Sequence, residues 1–374
     1  MAVQIELVRG GSSLRRFINL PFELYAHSPY WIPPLIQDEK NTLRRSKNPA
    51  FEYCDAAYAV AYKGGKPVGR VAAILNRRFI EKWGKPYCRF GWIDFVDDPE
   101  VSKALLDWVE AWAREHHLTG VHGPMGFTDL DREGMLIEGF DELGTLPMIY
   151  NYPYYPAHLE ALGYRKDVDW IEFEIKTPKE IPEKVLRIQE IVLKRSGLRL
   201  VPARSSRDLR PYARAVFQVL NEAYADLYGV VELTERQIDA YIKQYFGFIR
   251  PDYAKVIVDR DGEVAAFGIG MPSFSVALQR SRGRLLPFGF LHLLRAMNRP
   301  TKLDMYLVAV RPKYQNLGVN SILMTEITRA GIKNGIISAE SSGELETNKA
   351  VQDIWKYYET RQHKRRRCYL KLLE

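Results

Sequence analysis

Apolar and polar positions alternate with two different periods along this chain, and the switches between them predict its elements. In AAYAVAYKGGKPVGRVAAIL (56–75) two runs of apolar β-formers flank Gly64-Gly65, a hairpin signal. CRFGWIDFV (88–96) reads as a third strand. PEVSKALLDWVEAWAREHHL (99–118) shifts to the helical period, with Pro99 in its first turn. TGVHGPMGF (119–127) predicts a strand, YYPAHLEALGY (154–164) a short helix and VDWIEFEI (168–175) a closing strand. MAVQIELVRGG opens the chain as a strand. WIPPL (31–35) cannot be regular helix, because proline disfavours the α region in the residue before it.

The second half repeats this order. LRLVPAR (198–204) predicts a strand, and 206–229 and 234–249 predict helices capped at Ser206 and Thr234. Residues 253–272 predict a hairpin turning at Asp261-Gly262. KLDMYLVAV (302–310) is a strand, 317–335 a helix ending at Gly335, and IISAESS (336–342) a strand. NKAVQDIWKYYE (348–359) predicts a helix and RRCYLKLL (366–373) a final strand. Each half runs hairpin, strand, helix, strand, helix, strand. The expected organisation is a duplicated α/β chain: domains at 1–175 and 198–374, joined by a charged helical connector at 176–197.

Composition narrows the picture. With 374 residues, 46% of them hydrophobic, the chain can fill two cores. Cys54, Cys88 and Cys368 are scattered, so neither a disulfide framework nor a zinc site is expected, and a reducing cytoplasm fits. The N-terminus lacks the basic head and apolar run of a secretion signal, and no apolar stretch reaches the roughly 18–20 residues of a membrane span. A net charge of +8 favours anionic partners without choosing among them.

The stretch VAVRPKYQNLGVNS (308–321) carries the sharpest chemistry. It reads as a strand end, a polar loop and a helix beginning near Leu317, with Gln315 and Gly318 spaced Q-x-x-G. A helix N-terminus offers unpaired amides and partial positive charge, a site for phosphate. Arg311 and Lys313 add charge beside it. The matching junction in the first half, FVDDPEVSK, places Asp97, Asp98 and Glu100 at the helix start, where they repel a diphosphate, and Pro99 removes a donor. The first half is therefore expected to bind none.

With these residues in view, the chain resembles the GCN5-related N-acetyltransferase (GNAT) superfamily, whose cradle reads Q/R-x-x-G-x-G/A after a strand. Gln315-Asn316-Leu317-Gly318-Val319-Asn320 matches at the first and fourth positions and departs at the last. Asn348 and the aromatic residues after it resemble the family's N-x-x-A-x-x-x-Y segment. WIPPL, KPVGRVAAI, GPMGF with EGFDE, NYPYYPAHLEALGY and GRLLPFG resemble marks of a bacterial tandem-GNAT group, over nearly the full length. The resemblance implies two GNAT-like α/β domains, each a mixed, mostly antiparallel sheet flanked by helices. It implies an acyltransferase that moves an acetyl or longer acyl group from acyl-CoA to an amine. Relatives of this look are proposed to work in lipid N-acylation, including bacterial ceramide synthesis, so a lipidic acceptor such as a sphingoid base is among the expectations.

The same resemblance assigns the diphosphate to Gln315, Asn316, Leu317, Gly318, Val319 and Asn320, with Asn348 nearby. It assigns thioester polarisation to main-chain groups near Val308 and Val310. A carboxylate takes the amine proton and a tyrosine returns one to the sulfur. Glu340, Asp304 and Glu222 are candidate bases. The usual tyrosine position falls on Trp355, so Tyr358 or Tyr357 would serve as acid. Asn221 and Tyr224 are candidates for the acceptor pocket. The alternative is a non-catalytic acyl-CoA-binding or scaffold protein, suggested by Asn320 and Trp355.

Three stretches remain. GPMGFTDLDREGMLIEGFDELG (123–144) reads as a long polar loop. Its Asp129, Asp131 and Glu133 match no complete calcium loop, so no metal is expected. QRSRGRLLPFGFLHLLRAMNRPTK (279–302) flanks an apolar run with arginines, which suits either peripheral contact at the inner membrane face through 280–299 or a buried helix. RQHKRRRCYLKLL (361–373) is basic, but no DNA-binding pattern accompanies it and nucleic acid is not expected.

Overall fold

Both hairpins form where glycine permits the turn. In the computed structural model, which describes residues 1–374, strands Cys54–Lys63 and Lys66–Asn76 pair antiparallel through Gly64 and Gly65, both at positive φ. Strands Ala254–Val258 and Val264–Pro272 pair likewise, with Gly262 at φ +85°.

The chain divides into two compact units, each assembled from separate stretches. The first comprises Met1–Ile171, Ser275–His292 and His363–Glu374; the second, Glu172–Phe274 and Leu293–Gln362. In the first unit, Gln4–Leu7, the hairpin and Tyr87–Phe95 form an antiparallel ladder. Tyr87–Phe95 then pairs in parallel with Gly120–Gly123, which takes the C-terminal Tyr369–Leu372 on its far edge. Helix Pro99–Glu115 buries Val101, Leu105, Leu106 and Val109 against this sheet. Within the core, Arg70 Nε donates to Asp94 Oδ2 (2.7 Å) and the Tyr25 hydroxyl to Asp94 Oδ1 (2.8 Å); Tyr25 and Tyr155 hydroxyls meet at 2.7 Å. Burial raises the Asp94 carboxyl despite its arginine partner.

The second unit repeats the ladder. The hairpin pairs antiparallel with Lys302–Val310, which pairs in parallel with Ser338–Ser341, itself antiparallel to Glu174–Lys176. Helix Val319–Lys333 packs Ile322, Leu323 and Ile327 on one face of this sheet. Each unit is thus a mixed, mostly antiparallel sheet flanked by helices.

Several expected elements change length, for local reasons. The 119–127 strand stops at Gly123, before Pro124. The 198–204 strand is reduced to Arg199–Leu200, ahead of Pro202. The 206–229 helix divides around Pro211 into Ser206–Leu209, a 3₁₀ turn and Ala213–Tyr224, with Ser205 rather than Ser206 as its cap. The 348–359 helix becomes a single turn, Lys349–Gln352, followed by a 3₁₀ segment, Asp353–Tyr357. There Gln352 Nε2 donates back to the Leu345 and Glu346 carbonyls and the Trp355 indole to Glu344, tying the segment inward. Helices Gly11–Leu24, Ile36–Thr42 and Arg77–Trp83 were not expected from the pattern.

Candidate active site

The site grows from a mismatch in the second unit's sheet. Gly270 pairs with Met305 and Ile269 with Leu307, so Tyr306 is an extra residue in strand Lys302–Val310. Parallel pairing with Ser338–Ser341 ends at Met305. Past the bulge this edge has no strand partner, which leaves a gap in the ladder beside Leu307–Val310.

Backbone alternation decides what faces that gap. The Arg311 amide donates to Ala265, 2.9 Å away on the hairpin side. In an antiparallel ladder alternate residues point their polar groups to opposite edges, so those of Val308 and Val310 point into the gap. The Tyr224 hydroxyl donates to the Val308 carbonyl (3.0 Å), and Gln315 Nε2 to that of Val310 (3.1 Å). The two amides remain directed at the gap.

At its mouth, helix Val319–Lys333 begins with Gly318 as N-cap, at φ +78° and with no side-chain cap. Asn316 also adopts positive φ, +63°. The loop thus presents amides of Leu317, Gly318, Val319 and Asn320 without a competing carboxylate cap. A Cβ on Gly318 would lie 3.4 Å from Val192, on helix Glu183–Ser196. The flanking cations are engaged: Arg311 pairs with Glu222 (2.9 Å) and Lys313 with Asp259 (3.4 Å). Asn348 caps the turn Lys349–Gln352 by position only, without a side-chain bond to it.

The corresponding junction in the first unit is closed twice over. Helix Pro99–Glu115 is capped by its own Asp98, whose side chain accepts from the Glu100 amide (3.0 Å), and Lys63 bridges both acids. The space beside Tyr87–Phe95 is filled by the chain itself. Met125 donates to the Phe90 carbonyl (2.8 Å), and a Cβ on Gly91 would lie 2.4 Å from the Met125 oxygen.

The candidate catalytic residues fall on opposite faces of the second sheet. Leu303, Met305 and Ala339 line a recess under helix Val319–Lys333, with Trp355 and Tyr358. Asp304 and Glu340, a register pair on adjacent strands, therefore point to the other face. Both are buried; Glu340 lies 3.9 Å from Lys302, which also approaches Glu174 (3.6 Å). Tyr358 sits 3.2 Å from the Thr328 hydroxyl, and burial raises its phenol. Glu222 is held by Arg311, and Asn221 is tied by both side-chain atoms to Leu233.

Sequence reasoning passed over Glu344. It is buried, accepts from the Trp355 indole (2.7 Å), and burial pushes its carboxyl up to about 7. The same Trp355 ring has its centroid 6.2 Å from that of Tyr358. A carboxyl next to the family's N-x-x-A segment was the available signal.

A sheet of this topology, with a bulged strand, a gap and an uncapped helix N-terminus at its mouth, defines an acyl-CoA-dependent acyltransferase of the GNAT kind. The family model for the GNAT acetyltransferases matches residues 214–360. The chain is 31% identical over 369 residues to Protein YghO of Escherichia coli (strain K12), covering 96% of this chain and 93% of that protein. It is 29% identical over 379 residues to Bacterial ceramide synthase of Caulobacter vibrioides (strain NA1000 / CB15N), covering 98% and 96%. A tandem GNAT protein from the clavulanic acid biosynthesis pathway shares the fold along 99% of this chain and 98% of its own, with a TM-score of 0.57 at 13% identity. The chain belongs to the GNAT family, and it is an N-acyltransferase with acyl-CoA as co-substrate.

Proposed function

We propose that this enzyme transfers an acyl group from acyl-CoA, held by the second unit alone, to the amine of a lipidic acceptor. One observation carries the assignment: the uncapped Gly318 N-terminus lies at the mouth of the gap that Val308 and Val310 face, whereas its counterpart is capped by Asp98. On this reading the amides of Leu317 to Asn320 hold the diphosphate and the Val308 or Val310 amide polarises the thioester. The name of the 29% identical Caulobacter relative supports a lipidic amine, of the sphingoid-base class. The place of action is the cytoplasm, at the inner membrane face.

For proton transfer, Glu340 and Asp304 serve an acceptor entering on their face, with Tyr358 as acid across the strand. Glu344, with a carboxyl near neutrality, is a further acid–base candidate on the Tyr358 side. Free-thiol release from acetyl-CoA and palmitoyl-CoA, assayed with water-soluble amines and with sphinganine, tests the function. Gly318→Asp should abolish release and the thermal shift given by acyl-CoA. Release that persists undiminished in Gly318→Asp would refute the cradle.

A further inference from the structure

Seven of the sixteen exposed large hydrophobic side chains fall between Val276 and Leu294. Scattered exposed apolar residues need no explanation, but a concentrated set marks an interaction surface. Leu286 is 79% exposed, Phe288 70% and Leu291 51%, with Leu285 and Phe290 beside them.

The backbone beneath them is fixed. Gln279 Nε2 donates to the Pro29 and Trp31 carbonyls (2.8 and 3.1 Å), and the Ile36 amide donates to Gly283 (3.0 Å). A Cβ on Gly283 would lie 2.1 Å from the Pro34 oxygen, so the chain is pressed against the WIPPL segment. The Phe290 amide donates to Leu285 (2.8 Å) and that of Leu291 to Phe288 (3.1 Å), closing the turn that displays the apolar side chains.

Charge selects the occupant. No aspartate or glutamate occurs from Ser273 to Leu303, a stretch holding Arg280, Arg282, Arg284, Arg295, Arg299 and Lys302. Arg282 and Arg284, next to the apolar turn, are exposed. A second copy docking by the same face would set these arginines against themselves, whereas an anionic bilayer accepts both the cations and the apolar tips. We propose that the turn around Leu285–Leu291 is a docking surface for an anionic lipid bilayer. Leu286 and Phe288 enter the headgroup–acyl boundary and Arg282 and Arg284 hold lipid phosphates. The uncharged run of ten residues, 285–294, is far too short to span, and no helix is long and apolar enough to cross a membrane. The inference rests on the lipidic-acceptor reading for its use, since such an acceptor resides in a bilayer.

The test is flotation of the full chain with vesicles of equimolar phosphatidylcholine and phosphatidylglycerol, beside vesicles of phosphatidylcholine alone. The expected result is co-flotation with the anionic vesicles only, weakened about tenfold in Leu286→Ser/Phe288→Ser and in Arg282→Glu/Arg284→Glu, and reversed by high salt. Unchanged flotation in either double variant, or equal binding to neutral vesicles, would overturn it. So would an absence of flotation with self-association that the Leu286→Ser/Phe288→Ser change abolishes. Melting temperatures without ligand show that each variant folds. Thiol release with a water-soluble amine, read on the same variants, reports the acyltransfer site separately, so either reading can fail while the other stands.

Discussion

Gly318 separates two effects that a single substitution often confuses. Its φ of +78° disfavours any side chain, and Val192 lies in ordinary contact range of an added methyl. Gly318→Ala should cost about 1 kcal/mol of folding stability, read by urea denaturation, while the acetyl-CoA thermal shift survives. At Glu344 the argument concerns protons. Burial raises its carboxyl to about 7 and those of Asp129 and Asp131 to about 6. A carboxyl raised in the folded state holds its proton longer than in the unfolded chain. Its contribution is complete below the unfolded value, near 4, and is lost as pH rises through the folded one. Thermal stability should therefore fall from pH 5 to pH 8, and Glu344→Gln should flatten the upper part of that decline. An unaltered profile in Glu344→Gln would show that the carboxyl is ionised at neutral pH. In the first unit, Arg70→Met strands Asp94 among Tyr25 and Tyr155 and should destabilise by about 3 kcal/mol in equilibrium unfolding.

Among the elements, helix Pro99–Glu115 is the internal control for the cradle. Asp98→Ala removes its cap and should lower stability by about 1 kcal/mol. Because Met125 fills the adjoining space, the acetyl-CoA-induced shift should not change; a second binding event appearing in Asp98→Ala by calorimetry would contradict this. Hairpins, the long amphipathic helix and the helix start at Gly318 were legible because Gly-Gly, Asp-Gly, Pro at a first turn and Q-x-x-G each carry a local signal. The early helices were obscured by proline and aromatic clutter around WIPPL and by Pro21 inside Gly11–Leu24. The turn after Asn348 was misjudged because Trp355 and Gln352 are held by partners, Glu344 and the Leu345 carbonyl, that no periodicity reports. Candidate residues could be named by type, but the faces they take could not. Alternation alone sets Asp304 opposite its neighbour Met305, but the bulge at Tyr306 reverses side-chain parity beyond it and brings Val308 to the Met305 face. Even the basic C-terminal run resolves only in three dimensions: Arg365 and Arg367 meet Asp169, and Arg365 also meets Glu138.

At the scale of the whole molecule, sequence order and unit membership diverge. The strand ending at Leu372 pairs through Tyr369–Leu372 with Gly120–Gly123, inside a unit that otherwise begins at Met1. That pairing has a consequence for synthesis. A ribosome that has finished residue 171 must still add about 190 more before His363 emerges, a wait of roughly 10–40 s at ordinary elongation rates. Throughout it the Gly120–Gly123 edge stands bare in the nascent chain, a template for any passing strand. The half made first is the half finished last, and its safe completion depends on how long the growing polypeptide can be shielded.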